Sequence, residues 1–239
     1  MKSLTRRTFA AFGSTCLLPR ALHAETHDLA TLPSGAELHR VTAMPVDYKG
    51  RKALKVELTE AVRSGRPGID FGDTDTFAKI SGNFRNGTIE VDVLGRLTPT
   101  APPDSRAFAG LAYRIADSGK QFESVYVRPL NGLKLSPPPP RDRRAIQYFA
   151  YPDWRFAGLR KAYPDGRYEA GAGIAGDEWI ALRLDVEEDK VRVRVNGEER
   201  LVVAEPKAAP ASGAVGLWVD IGTEAYFANL RITPRQSLR

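Results

Sequence analysis

Apolar and polar residues alternate with a period of two along most of this chain. In WIALRLDVEE, Ile180, Leu182, Leu184 and Val186 fall on one side, and Arg183 and Asp185 on the other. Val191, Val193 and Val195 alternate in the same way with Arg192 and Arg194, and Asn196-Gly197 follows. Alternation of this kind predicts half-buried strands, and Asn-Gly supplies the two positive-φ residues of a tight hairpin turn. Further strands are predicted at 53–59, 87–95, 108–117, 122–128, 145–151, 178–188, 190–203, 213–222 and 225–233. Each is rich in Val, Ile, Tyr or Phe and bounded by turn residues. Brief helix is expected only at TEAVR (59–63) and FAGLRKA (156–162). Many short strands and no linker predict an all-β fold, a single antiparallel β-sandwich. The proline-rich runs at 97–105 and 136–142 interrupt the strands as long loops, and PPPP (137–140) is expected to form stiff polyproline II.

The first 24 residues stand apart. A basic stretch with Arg6-Arg7 precedes an apolar run from Phe9 to Leu18, and Ala24 closes it. This is the pattern of an export signal, similar to the twin-arginine type, and the apolar run is too short to span a membrane. It changes the charge picture. Of 35 basic residues four (Lys2, Arg6, Arg7, Arg20) lie before the expected cleavage point and no acidic one does, which leaves 31 against 29. A mature net charge of +2 gives no reason to expect a nucleic-acid partner. Cys16, the single cysteine, also lies in this segment, so no disulfide is expected in the mature protein. The expected location is periplasmic or secreted, reached through the twin-arginine export machinery.

FRNGTIEVDV, GLAYRIAD, FESVYVRPLNG, RRAIQYFAYPDWRFAGLRKAYPDGRYEAG, DEWIALRLDVEEDKVRVRVNG and GAVGLWVDIGTEAYFANLRI occur in that order. Together, over about residues 35–235, they resemble the concanavalin A-like lectin/glucanase superfamily, close to the 3-keto-disaccharide hydrolase domain family. The resemblance implies a jelly-roll sandwich with a concave face where glycans bind. It implies action on, or binding of, a carbohydrate, an oxidised or 3-keto glycoside included. A non-catalytic glycan-binding module and an envelope protein-interaction domain stay open beside it.

Three groups of residues carry candidate chemistry. Glu90 and Asp92 project from one strand face, but the further Glu of the laminarinase-like pattern is missing, since Val93, Leu94 and Gly95 follow. A solvated strand face is the plainer reading. The second group is FESVYVRPLNG and the loop after it. Glu123 alternates with Val125 and Val127 and, set among valines, is the acid/base candidate. Tyr126 and Arg128 project from the opposite face, Asn131 sits in the turn, and Arg143, Arg144, Gln147, Tyr148, Tyr151 and Trp154 follow. Aromatic faces pack on sugar C–H patches, and Arg, Asn and Gln bond hydroxyls, so these nine are the sugar-binding candidates, with Arg128 and Arg144 as clamps. The third group concerns metal. His27 and His39 have no ligand spacing, so no zinc is expected, and no cofactor motif is present. Calcium stays open on Asp153, Asp220 and Glu224, without a calcium-loop pattern. Trp218 is expected to pack in the core.

Overall fold

In the computed structural model of this protein the described residues are 24–235, so the expected export segment, with Arg6, Arg7 and Cys16, lies outside them. The chain runs through β1 (Glu25–His27), β2 (Glu37–His39), β3 (Val41–Tyr48), β4 (Arg51–Leu58) and the short helix α1 (Glu60–Arg63). Next come β5 (Phe77–Phe84), β6 (Gly87–Leu97), β7 (Ala109–Ile115), β8 (Phe122–Val127) and β9 (Ile146–Tyr151). Helix α2 (Phe156–Ala162) precedes β10 (Glu169–Ala170), β11 (Ile180–Val186), β12 (Val191–Val195) and β13 (Glu198–Val203). The last strands are β14 (Gly213–Val219) and β15 (Thr223–Pro234).

Two antiparallel sheets share one hydrophobic core. The first has the order β13-β12-β11-β6-β15-β4-β3, with β1 also paired to β15, and the second the order β10-β9-β8-β7-β14-β5-β2. The sandwich expected from the alternation is the observed fold. The Asn196-Gly197 hairpin is as expected, with φ of 52° and 85°, and α2 spans the run expected to be helical.

The first sheet keeps the alternation of its sequence. Ile180, Leu182, Leu184 and Val186 are buried, while Glu90, Asp92, Arg183 and Asp185 form ion pairs on its outer surface. The second sheet does not. Every residue of β7 and β8 is buried, so both faces of those strands are covered.

One face of the second sheet is mainly aliphatic, with Leu111, Val125, Ile146 and Leu217, and it turns toward the first sheet. The other is aromatic. Phe77, Phe122, Tyr126, Phe149 and Trp218 form a chain of ring contacts, including Tyr126–Trp218 at 4.6 Å. Gly110 stands in register between those two residues, and a Cβ there would come within 2.4 Å of the Tyr126 Cα. Trp218 is fully buried, as expected, with its indole N–H donating to the Thr74 carbonyl at 2.9 Å.

β3 and β5 depart from the predicted strand set. β3 contains Pro45 and lies at a sheet edge, where the missing N–H costs no ladder bond. In β5 the run Ser81-Gly82-Asn83 has the composition of a turn, yet the strand continues through it with Asn83 at φ of 68°. The polyproline expectation needs correction as well: Pro140 has ψ of 11° and leads into a 3-10 turn at Arg141–Arg143, so the run is not one polyproline II helix.

Candidate functional site

The twofold alternation along β8 places Glu123 on the aliphatic face and Tyr126 on the aromatic face, and each face carries its own buried ion cluster. On the aliphatic side Glu123 is 0% exposed. Arg114 donates to its Oε2 at 2.8 Å and the Tyr148 hydroxyl donates to Oε1 at 2.7 Å. Strict alternation would turn Arg114 away from Glu123. It reaches because β7 bulges here: Tyr113 and Arg114 together oppose Val215, between the pairs Ile115–Ala214 and Ala112–Gly216. Arg114 itself has φ of 52°. The rest of its guanidinium is satisfied by the Arg85 and Glu187 carbonyls and the Asn86 amide oxygen, at 2.7–2.9 Å.

Burial pushes the Glu123 carboxyl above its ordinary range, opposed by the Arg114 charge and the Tyr148 hydrogen bond. Burial and the Glu123 charge hold Tyr148 well above the usual phenol range, so it stays a neutral donor. The Tyr148 hydroxyl also accepts from the Lys207 backbone N–H at 2.7 Å, which ties the 204–212 connection to the cluster.

This cluster borders a cavity of about 290 Å³ at one end of the sandwich. Arg114, Phe122, Glu123, Tyr151, Asp153, Trp154 and Lys207 line it. Trp154 is half-buried and held by reciprocal backbone bonds with Ala150 at 2.8 and 3.0 Å. Lys207 lies over the Trp154, Tyr163 and Tyr168 rings, with its ammonium 4.4–5.5 Å from their centres. The cavity therefore combines aromatic surface, two carboxyls and two cations, a set able to pack on a sugar ring and bond its hydroxyls.

The aromatic side is built differently. Arg128, 4% exposed, donates to the Tyr126 hydroxyl, Gln147 and Glu169 at 2.7–3.1 Å. Glu169 also takes two bonds from Arg160, at 2.5 and 2.8 Å, and lies 3.6 Å from Arg144. Burial alone would raise its carboxyl, but Arg160 and Arg128 outweigh it and hold it low. Above Tyr126, Asp73 accepts from the Phe156 N–H at 2.7 Å, and Asp220 accepts from the N–H groups of Gly72, Asp73 and Ile221. Burial and the neighbouring Asp220 charge push Asp73 up to about 6. The sheet face where the resemblance puts glycans is thus covered by the chain's own segment 70–76 and by α2.

The ten candidate residues divide accordingly. Glu123, Tyr151 and Trp154 line the cavity, and Tyr148 supports it from beneath. Tyr126, Arg128 and Gln147 are buried in the covered cluster, and Arg144 is at its margin. Asn131 knits its own loop, donating to the Arg144 carbonyl and accepting from Arg141. Arg143 is exposed on the turn. Sequence reasoning missed Arg114 and Lys207. A single arginine inside the apolar run GLAYRI was the available signal for Arg114, but a bulge leaves no mark in the alternation.

The calcium candidates do not converge. Asp220 is saturated by backbone N–H groups, Glu224 pairs with Arg96 at 3.1 Å, and Asp153 borders the cavity. Among the described residues no group of three His, Cys, Asp or Glu is placed to hold a metal ion, and no helix is long and apolar enough to cross a membrane.

No family model matches this sequence, and no curated protein matches it. Solved structures do match the fold. A Bacillus subtilis protein of unknown function with a galectin-like fold aligns at TM-score 0.51 and 9% identity, over 88% of this chain and 96% of that one. A candidate glycosyl hydrolase from Parabacteroides distasonis aligns at TM-score 0.50 and 11% identity, over 90% of this chain and 100% of the other. Carbohydrate-binding module CBM66 from Bacillus subtilis aligns at 0.49 and 13%, over 82% and 97%. At these identities the likeness speaks to the fold alone, an antiparallel β-sandwich like that of the galectin-like protein.

Proposed function

We propose that this protein is an exported jelly-roll protein that binds a carbohydrate in the cavity bordered by Glu123, Tyr151 and Trp154. One observation carries the proposal: half-buried aromatic rings and a buried, fully oriented charge cluster meet at the same opening. Tyr151 and Trp154 offer apolar surface to a sugar face, while Asp153 and Lys207 offer an acceptor and a donor to its hydroxyls. The candidate glycosyl hydrolase of the same fold supports a carbohydrate as the ligand. Export rests on the residues before Ala24, with Arg6-Arg7 read by the twin-arginine machinery into the periplasm.

A second reading has an observation of its own. Burial favours the protonated form of Glu123, and Asp153 lies on the same cavity, so two carboxyls face one opening. That pair suits glycosidic cleavage, by hydrolysis or elimination, of an oxidised or 3-keto glycoside, with Glu123 as acid/base. Against it, both Glu123 oxygens are engaged by Arg114 and Tyr148.

Binding and product release on a panel of plain and 3-keto disaccharides separate the two. The binding reading expects a bound sugar that is recovered intact. Cleavage that is lost in Glu123→Gln while binding persists would move the assignment to the enzyme.

A further inference from the structure

We infer that the carbohydrate site is one of two adjoining subsites, and that the natural ligand is an oligosaccharide chain rather than a single sugar. The inference rests on the carbohydrate reading above.

A second cavity, of about 360 Å³, adjoins the first. Ser212 lines both, and the consecutive residues Ala116 and Asp117 divide between them, Ala116 on the Trp154 side and Asp117 on the other. One ridge, made by the 204–212 connection and the β7–β8 turn, is shared by two openings. Each opening lies near the lower limit for a small-molecule site, and joined they fit a chain of several sugar units.

The second opening exists for a local reason. The register of β14 against β5 shifts twice between Gly213 and Gly216, so β5 carries two bulges at that end and bends there while staying paired as far as Phe84. Gly82 adds no side chain, and a Cβ built there meets nothing within 4 Å.

The chemistry of the two openings is complementary. The Trp154 side supplies stacking surface. The Gly82 side has no aromatic residue in its lining, but it presents Lys79, Glu37, Ser81, Asn83 and Asp117. Lys79 is already oriented, with its ammonium 2.6 Å from Glu37. Donors and acceptors without an aromatic platform suit the hydroxyls of a neighbouring unit whose partner is already stacked next door.

The test is calorimetric titration of cello-, malto- and galacto-oligosaccharide series, from the monosaccharide to the tetrasaccharide, against the full chain and two variants. Gly82→Phe places a ring at the second opening, where a Cβ meets nothing within 4 Å and the backbone is not in the left-handed region. Lys79→Met removes its cation and keeps the stem. In the unmodified protein the tetrasaccharide of the series that binds is expected to bind about tenfold more tightly than its shortest bound member. Gly82→Phe is expected to erase that gain and leave the shortest member within about twofold. Affinity independent of length, or a gain that survives in both variants, overturns the inference while the carbohydrate reading stands. Failure of every saccharide to bind overturns both.

Discussion

The two faces of the second sheet hold clusters of the same chemical kind with different surroundings. On the aliphatic face Arg114 and Glu123 pair beside an open cavity. On the aromatic face Arg128 and Glu169 lie beneath α2 and segment 70–76, and that segment brings its own Asp73 to Asp220. Arginine beside carboxylate therefore does not mark a ligand site in this fold. What separates the clusters is whether chain covers them, and that depends on loops rather than on the strands carrying the charges. Buried pairs are also poor evidence of stability by themselves, because desolvation offsets much of their attraction, yet removing one partner is costly.

The largest effect is expected at Arg114. Arg114→Ala takes the guanidinium from the buried Glu123 and from the Arg85 and Glu187 carbonyls, and is expected to cost about 3–5 kcal/mol in urea denaturation. A loss below about 1 kcal/mol would show that the pair does not organise this end of the sandwich.

The covered cluster is sharpened by pH. Asp73 has its pKa raised to about 6 from 3.8, so the folded state holds a proton that the unfolded state releases. Its contribution is full below about pH 4 and is lost as pH rises through about 6, a fall of up to about 3 kcal/mol. Denaturation from pH 4 to 8 should show this decline, and Asp73→Asn should remove it. A pH profile unchanged by Asp73→Asn would exclude the residue as its source.

The smallest effect is expected on the first sheet. Arg183 pairs with Glu90 at 3.0 Å on the outer surface, with roughly 40% of each side chain exposed. Arg183→Ala should change stability by less than about 1 kcal/mol and leave carbohydrate binding unaltered. A large loss of binding would make the Glu90–Asp92 strand a ligand surface after all.

Much of the fold was legible because burial on one side of a strand writes itself into the sequence as alternation. The same rule separated Glu123 from Tyr126 and Arg128, as the structure places them. It failed where a local irregularity resets the alternation. The bulge at Tyr113–Arg114 brings an arginine to Glu123 from a position that strict alternation assigns to the other face. It also failed for β5, where Gly82 and Asn83 have turn composition and the pairing with β14 shifts register twice. The covering of the aromatic face could not be read at all. Asp73 and Asp220 are 147 residues apart and meet only through backbone N–H groups, a contact without a local pattern. Of the six candidate residues away from the cavity, Tyr126, Arg128, Asn131, Arg144 and Gln147 are carried or covered by chain that packs inward, and Arg143 points to solvent.

The central claim is that carbohydrate binds at the Trp154 opening and not on the covered aromatic face. Calorimetric titration of one binding saccharide against Trp154→Ala and Arg128→Ala tests it most directly, with each variant first shown to be folded at the titration temperature. Trp154→Ala is expected to weaken binding about tenfold or more, and Arg128→Ala to bind as the unmodified protein does despite lower stability. Binding lost in Arg128→Ala and kept in Trp154→Ala would contradict it.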